Sequence, residues 1–337
     1  MEKIKIAVIG VGHLGTYHAK NIMEIEHFQL MGLFDLNLEK CQKLANELGV
    51  KCYNNLEECL AEVDAVSIAS TTSSHFAVAD NAFRNNCHVF IEKPITPSLD
   101  EAYKLVEIAD KSNKILQVGH IERFNPAMIA IKNIELNPLF VESHRLAPFQ
   151  PRGTDVAVVL DLMIHDIDLI LNLVKSPVKN IDAAGVNIIS DSEDISNCRL
   201  VFENGCIANV TASRISMKKM RKMRIFQPGA YLGLDFNDGT AEIFYLPDEF
   251  ADAAALQPHS FPLGKLQWEN REINISSSII KPENINPLKE ELSHFADCIL
   301  SGKKPLVDGH EAVRALEVAQ QILAEIKKHK EYVLGKR

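Results

Sequence analysis

Two groups of residues could carry acid–base chemistry in this chain. Lys93 stands in Glu92-Lys93-Pro94, directly after an apolar run. A lysine there can donate to a substrate oxygen, or transfer a proton if burial lowers its pKa. Asp161 and His165 are four residues apart, the spacing that places two side chains on one face of a helix. A histidine with an ordinary pKa of about 6.5 can remove a hydroxyl proton as a hydride leaves the same carbon. The residues therefore predict chemistry at a hydroxyl-bearing carbon.

Each group also has a structural explanation, which the sequence leaves open. Lys93 could be an exposed lysine after a strand, and His165 could be a structural histidine near a helix N-terminus. A metal site is a third interpretation of Asp161 and His165, but two ligands are too few and nothing nearby completes a set. We therefore expect no metal. Asp166 and Asp168 could join a substrate network, although such acids are more often solvated.

A glycine-rich turn near the N-terminus predicts a dinucleotide site. Gly10-Val11-Gly12-His13-Leu14-Gly15 follows the apolar run Ile4–Ile9 and opens a helix. In such a turn Gly10 allows the tight bend, Gly12 lets backbone N–H groups approach a pyrophosphate, and Gly15 lets helix and strand pack closely. The phosphates would lie at the positive end of the helix dipole.

An acid follows the second predicted strand, Phe28–Phe34. Asp35 lies twenty residues beyond Gly15, about where a carboxylate accepts bonds from both ribose hydroxyls of an adenosine. A carboxylate repels a 2′-phosphate, and no arginine follows Asp35 directly. We therefore expect NAD as the cofactor rather than NADP.

Strands and helices alternate up to about residue 121, which predicts a doubly wound parallel sheet. Ligands of such sheets bind beyond the carboxyl ends of the strands. Three strand ends are therefore candidate sites: residues 70–74, Glu92-Lys93-Pro94 and Gly119-His120. The residues expected to contact the cofactor are Gly10, Gly12, His13, Leu14, Gly15, Asp35, Ser70, Thr71, Thr72, His75, Glu92 and Lys93.

After residue 121 the pattern becomes that of an α+β domain with a largely antiparallel sheet. A helix is expected near 125–135, a strand over 140–145, and a helix at about 156–174 that carries Asp161 and His165. Asn204-Gly205 and Asp238-Gly239 each separate two predicted strands, and both dipeptides suit a type I′ turn. Helices are expected at 287–301 and 310–329, whereas residues 247–285 show no clear pattern.

Polar residues of the second half could bind substrate. The junction Gly119–Pro126 could meet a sugar hydroxyl or a carboxylate, or it could be a hinge with an interdomain salt bridge. The basic cluster Lys218–Arg224 could contact a negatively charged tail such as a nucleotide diphosphate, or it could be a solvated hairpin end. The candidate substrate residues are His120, Arg123, Asn125, Arg145, Arg152 and Arg221.

Composition narrows the class of protein. The chain has 337 residues, of which 46% are hydrophobic and 24% charged, as in ordinary soluble globular proteins. The net charge of −9 disfavours a nucleic-acid partner, and no apolar run is long enough to span a bilayer. The chain enters a predicted core strand almost at once, which leaves no room for a signal peptide. The seven scattered cysteines suggest reduced core thiols. We therefore expect a cytoplasmic protein.

The glycine loop, Glu92-Lys93-Pro94, the Gly119–Pro126 junction and the Asp161/His165 pair, in that order, resemble the Gfo/Idh/MocA (glucose–fructose oxidoreductase/inositol dehydrogenase) family. The resemblance implies an α/β chain with an N-terminal Rossmann doubly wound parallel sheet, residues 1–121. Residues 122–337 would form an α+β domain whose open-faced, mostly antiparallel sheet binds substrate and forms an oligomer interface. Helix 310–329 could pack back on the first domain.

The family resemblance also implies NAD(P)-dependent hydride transfer at a secondary alcohol of a sugar or cyclitol, with Lys93, Asp161 and His165 as catalytic residues. Three stretches, 118–125, 159–168 and 213–231, are most similar to bacterial nucleotide-sugar dehydrogenases. The expected partners are thus a sugar or nucleotide sugar and further copies of the chain, with no nucleic acid and no membrane. Alternatives are a dehydrogenase of free sugars or inositol, and a non-catalytic NAD(P)-binding metabolite sensor. Whether Lys93 or His165 takes the proton, which carbon reacts and in which direction stay open.

Overall fold

The protein, as a computed structural model, is described over residues 2–150, 156–256, 259–269 and 271–335. Two compact units are present. One comprises Met1–Ile121 with Asn286–Leu316, and the other Glu122–Ile285 with Glu317–Arg337. Among the described residues, no helix combines the length and apolar character needed to cross a membrane.

The first unit contains a six-stranded parallel sheet, which confirms the predicted doubly wound fold. Its strands are β1 (Ile4–Ile9), β2 (Phe28–Phe34), β3 (Lys51–Tyr53), β4 (Ala65–Ile68), β5 (His88–Glu92) and β6 (Leu116–Gly119), in the spatial order β3-β2-β1-β4-β5-β6. The helices between them are α1 (His13–Met23), α2 (Leu38–Leu48), α3 (Leu56–Ala61), α4 (His75–Arg84) and α5 (Leu99–Ser112). The strand order reverses between β1 and β4, where sheets of this kind bind ligands.

Local sequence signals explain these elements. The strands are almost continuously apolar because both faces of a parallel sheet are covered, and all four residues of β4 are buried. The side chains of Asn37, Asn55 and Ser98 each accept a backbone N–H bond at the start of a helix. Gly49 ends α2 in the left-handed conformation, with φ of +69°.

The second unit contains α6 (Pro126–Ala130), a π-helix (Val159–Met163), α7 (Ile164–Val174) and a nine-stranded sheet. The strands are β7 (Phe140–Leu146), β8 (Val178–Val186), β9 (Ile195–Phe202), β10 (Ile207–Ser213), β11 (Met220–Gln227), β12 (Ala230–Asp235), β13 (Thr240–Tyr245), β14 (Ser260–Trp268) and β15 (Arg271–Ile280). Their order is β14-β15-β13-β12-β11-β7-β10-β9-β8, and all pairs are antiparallel except β7–β10. The mostly antiparallel sheet is as predicted.

Two helices complete the chain. Helix α8 (Pro287–Ser301) belongs to the first unit, where Phe295 packs against Phe28 and Phe90 with ring centroids 6.2 and 5.9 Å apart. Helix α9 (Gly309–Leu334) begins in the first unit and continues into the second.

The structure corrects three local predictions. The helix expected near 125–135 ends at Ala130. The two hairpin turns are not type I′: Gly205 and Gly239 have positive φ, of +88° and +65°, but Asn204 and Asp238 do not, and type I′ requires positive φ at both central residues. Residues 247–285, which showed no clear pattern, contain the β14–β15 hairpin.

Candidate active site

The glycine loop between β1 and α1 is shaped by close backbone contacts. Gly10 has φ of +92°, and a Cβ there would lie 2.6 Å from the Ser70 backbone. A Cβ on Gly15 would lie 1.8 Å from the Gly10 carbonyl oxygen. By contrast, a Cβ on Gly12 would meet no atom of the described residues within 4 Å. The loop is therefore closed on the protein side and open beside Gly12, as backbone binding of a pyrophosphate requires.

Asp35 at the end of β2 is joined to the glycine loop. Its Oδ2 accepts a 2.7 Å bond from the Val11 N–H, and its Oδ1 accepts a 2.8 Å bond from the Asn37 N–H. A carboxylate has about four lone-pair positions, so this one can still accept ribose hydroxyls. The residues present thus fit a dinucleotide cofactor.

His75 connects the ends of two strands of this sheet. The residue is buried, and its ring nitrogens lie 3.0 Å from the Pro94 carbonyl oxygen and 3.3 Å from that of Ser70. Burial lowers the pKa of His75, against the opposing effect of these bonds. Nearby, the Ser70 and Ser74 hydroxyls lie 2.7 Å apart, and the Ser74 hydroxyl donates to the Thr71 carbonyl. The residues after β4 are thereby tied to the segment after β5.

Glu92, which precedes Lys93, is held by a buried histidine. His18 on α1 donates from Nε2 to Glu92 Oε1 over 2.9 Å, while its Nδ1 lies 2.8 Å from the Ser67 hydroxyl. Burial alone would raise the pKa of the Glu92 carboxyl, but this bond and nearby positive charge lower it below its usual value. A Cβ on Gly119 would contact the Glu92 carboxylate at 3.1 Å. Three strand ends and α1 thus fix the backbone that carries Lys93.

Lys93 is half-buried, and its peptide bond to Pro94 is cis. Because the side chain is half-buried, Lys93 differs from an ordinary exposed lysine after a strand. The sheet places Lys93 at the same edge as the glycine loop, because the carboxyl ends of parallel strands share one edge.

Asp161 and His165 lie where a π-helix passes into α7. Asp161 belongs to the π-helical turn and His165 to the first turn of α7. The sequence predicted a single helix here, and the inserted π turn is the difference. Both side chains are half-buried, whereas Met163 and Ile164 between them are buried. Short π-helical segments inside helices occur often at functional sites, which favours a functional role for the pair.

Two buried arginines hold α7. Arg145 on β7 donates from Nε to Asp166 Oδ2 over 2.6 Å and from Nη1 to Glu122 Oε1 over 2.7 Å. Arg123 donates from Nε to Asp168 Oδ2 over 2.6 Å and from Nη2 to Asp168 Oδ1 over 2.9 Å. All five side chains are nearly inaccessible to solvent. Asp166 and Asp168 are therefore not solvated, and the arginines stabilise the turn that carries His165.

The other candidate substrate residues differ in accessibility. His120 is buried, and Asn125 is buried with its side chain bonded to Glu122, Phe236 and the Ala127 N–H. Arg221 keeps 39% of its side chain exposed while Nη1 lies 3.6 Å from Glu122 Oε1. Arg152 lies outside the described residues. The substrate roles of these residues stay predictions.

Comparisons with known proteins show the family. Residues 4–120 match the model described as an oxidoreductase family with an NAD-binding Rossmann fold, and residues 141–227 match the GFO/IDH/MocA C-terminal domain. UDP-N-acetylglucosamine 3-dehydrogenase of Acidithiobacillus ferrooxidans is 40% identical over 246 residues, which cover 73% of this chain and 78% of that protein. The chain belongs to the GFO/IDH/MocA family. The resemblance inferred from the motifs is confirmed.

A solved structure and a second relative agree with this assignment. A solved structure of the A. ferrooxidans UDP-N-acetylglucosamine 3-dehydrogenase has a TM-score of 0.85 and 33% identity, covering 97% of this chain and 99% of that one. The scyllo-inositol 2-dehydrogenase (NAD(+)) of Bacillus subtilis is 26% identical in an alignment that covers 94% of this chain and 92% of that protein. The chain is thus an oxidoreductase with an NAD-binding Rossmann domain.

In this GFO/IDH/MocA protein, sequence reasoning missed two positioning groups, His18 and Glu122. His18 occupies an apolar stripe of α1, and a polar residue in such a stripe is a usable signal because it must find a buried partner. No comparable signal marks Glu122, whose partner Arg145 lies 23 residues away.

Proposed function

We propose that this GFO/IDH/MocA enzyme is an NAD-dependent dehydrogenase acting on a secondary alcohol of a nucleotide sugar, with C3 of UDP-N-acetylglucosamine as the first substrate to test. The supporting observation is the 40% identity with the A. ferrooxidans protein of that name over 73% of this chain. The inositol dehydrogenase of B. subtilis covers more of the chain but at only 26% identity.

In the proposed mechanism, His165 removes the proton of the reacting hydroxyl. Asp161 orients the imidazole or binds sugar hydroxyls, and Lys93 donates to the reacting oxygen. When bound, NAD supplies the hydride acceptor. The half-buried state of all three side chains supports these roles, because partial removal from water strengthens their interactions with a substrate. The alternative assignment has Lys93 as the proton acceptor.

Arg221 is the residue we assign to the diphosphate of the substrate. It lies at the exposed end of the buried network, beside Glu122. Burial lowers the pKa of its guanidinium, and the positive charge of Arg145 lowers it further. An anionic ligand would stabilise the charged form of Arg221, and a guanidinium binds phosphate oxygens in pairs.

NAD rather than NADP is the proposed cofactor. Both oxygens of Asp35 already bond to backbone N–H groups, so the carboxylate is fixed where a 2′-phosphate would meet its charge. Leu36, which follows, is 92% exposed and offers no positive charge. We expect kcat/KM to favour NAD over NADP at least tenfold. The variant Asp35→Ser should narrow the ratio, and equal use of both cofactors by the native enzyme would contradict the assignment.

The decisive experiment is a substrate screen that follows the absorbance of reduced nicotinamide. We expect the highest kcat/KM with UDP-N-acetylglucosamine and little turnover with N-acetylglucosamine or inositol. Arg221→Ala should raise KM for the nucleotide sugar about tenfold. Lys222→Ala is the matched control, because Lys222 is adjacent, 51% exposed and paired with Asp235. Turnover of inositol alone would favour the free-cyclitol alternative, and no turnover of any sugar would favour the sensor.

We also propose a homo-oligomer formed through the sheet of the second unit. An aromatic row crosses four adjacent strands: Phe140, Phe226, Tyr231 and Phe244 have successive ring centroids 5.5, 5.0 and 5.9 Å apart. Phe226 and Phe244 are 36% and 39% exposed, and such apolar rows favour contact between protein copies. Light scattering should show a dimer or larger assembly that Phe226→Glu weakens, whereas a native monomer would contradict the proposal.

A further inference from the structure

A cavity of about 470 Å³ lies in the first unit, away from the glycine loop. His88 and Leu116, the first residues of β5 and β6, line it together with residues of α5 and of the connection from α8 to α9. The glycine loop follows the carboxyl end of β1. Since all six strands are parallel, the cavity and the loop lie at opposite edges of the sheet. The cavity is thus separate from the proposed cofactor site, and its size is that of a metabolite site.

Each of the two carboxylates that line this cavity has a hydrogen-bond partner. Asp110 Oδ2 lies 3.2 Å from His310 Nε2, and Asp308 Oδ1 accepts a 3.0 Å bond from the Glu311 N–H at the start of α9. The basic groups are available. Lys114 and Lys304 line the cavity, and neither takes part in a salt bridge with another residue of the described ranges.

His88 adds a neutral donor. Its Nδ1 accepts a 3.0 Å bond from the Ile115 N–H, which places the ring proton on Nε2. Burial, assisted by the charge of Lys114, lowers the pKa of His88 to about 4. The imidazole is therefore uncharged at neutral pH and keeps an N–H donor.

The start of α9 lines one side of the cavity. A Cβ on Gly309 would lie 2.7 Å from Val106 Cγ2 and 2.8 Å from Leu116 Cδ2, so the glycine lets the helix begin against the apolar wall. The Asp308 carboxylate already caps this helix by accepting the Glu311 N–H bond, so the helix N-terminus is not counted among the groups that would bind an anion. Apolar walls, two ammonium groups and a neutral N–H together match an organic phosphate.

We propose that this cavity binds a small phosphorylated metabolite, with its phosphate held by Lys114 and Lys304 and its organic part against Val106 and Leu116. The phosphate could come from a sugar phosphate or from a nucleoside monophosphate. The site lies across the sheet from the glycine loop, so the ligand would bind without displacing NAD. Strand β5 connects the two edges: it begins at His88 in the cavity and ends at Glu92, next to Lys93.

The test is calorimetric titration of the full chain, saturated with NAD to block the glycine loop. The probes are glucose 6-phosphate, adenosine monophosphate and inorganic phosphate. We expect at least one of the two organic phosphates to bind, and the one that binds identifies the source. Lys114→Ala/Lys304→Ala should weaken binding at least tenfold, since each ammonium contributes a charge-assisted bond.

Lys303→Ala is the matched control, because Lys303 neighbours Lys304 but lines only the adjacent cavity with His294 and Asp297. It should leave affinity within about twofold, and thermal unfolding should show that all variants fold. The proposal is wrong if neither organic phosphate binds, if only inorganic phosphate binds as an adventitious ion, or if the double variant binds as the native chain does.

Discussion

The glycine loop and the turn that carries His165 are held in place by opposite means. In the loop, positions are set by missing side chains: a methyl group on Gly15 would lie 1.8 Å from the Gly10 carbonyl oxygen. Around His165, positions are set by charge, because Asp166 and Asp168 are buried and each accepts bonds from a buried arginine. An added atom should therefore disrupt the glycine loop, and a removed charge should disrupt the turn that carries His165.

The largest effect is expected from removing a buried arginine. Arg145→Ala leaves Asp166 and Glu122 buried without their guanidinium, and should lower the free energy of unfolding by about 3–5 kcal/mol. Arg224→Ala is the control, since Arg224 pairs with Glu142 but is 51% exposed. It should cost at most about 1 kcal/mol. Urea unfolding measures both, and equal losses would show that buried charge does not support this region.

The loop should respond to an added methyl group. Gly15→Ala forces the Gly10 backbone to move, and we expect a loss of about 3 kcal/mol in unfolding free energy together with the loss of NAD binding. Gly12→Ala has room for its Cβ among the described residues. It should fold with nearly native stability and still bind NAD poorly, because the methyl group enters the space assigned to the pyrophosphate. Tight NAD binding by Gly12→Ala would contradict the assignment of the space beside Gly12 to the pyrophosphate.

Removal of the proposed catalytic groups should change turnover without changing stability. Lys93→Ala and His165→Ala should each lower kcat by a factor of about 10² or more. His165→Ala should retain NAD affinity, because its side chain is not among those expected to contact the cofactor. Lys104→Ala and His259→Ala, at exposed positions, control for the loss of a lysine and of a histidine. Near-native kcat in both Lys93 and His165 variants would refute the assigned site.

The same contrast explains what the sequence could predict. The glycine loop, β1, α1, β2 and Asp35 form one contiguous unit whose spacing carries the geometry, so the parallel sheet followed from periodicity and motif. The ion network could not be predicted in this way. Arg123 and Asp168 are 45 residues apart and Arg145 and Asp166 are 21 apart, and no sequence pattern links the members of either pair. Likewise, the helical pattern around Asp161 did not indicate a π turn.

The smallest effect is expected from the titration of the half-buried His88. The pKa of His88 is lowered to about 4, first by burial and then by Lys114, with Asp64 opposing, whereas the unfolded value is about 6.5. Between these values the unfolded chain binds the proton more readily. The stability contribution is therefore present above pH 6.5 and lost as pH falls towards 4. After allowance for solvent screening, the loss is about 2 kcal/mol. Arg145, whose pKa is raised, keeps its charge throughout this range.

The variant His88→Gln tests this pH dependence. Its side chain can still accept the Ile115 N–H bond but cannot titrate, so its urea midpoints measured from pH 7 to 4.5 should fall less steeply than those of the native chain. If the midpoints of the native chain and of His88→Gln fell in parallel, the titration of His88 would not contribute to the pH dependence of stability.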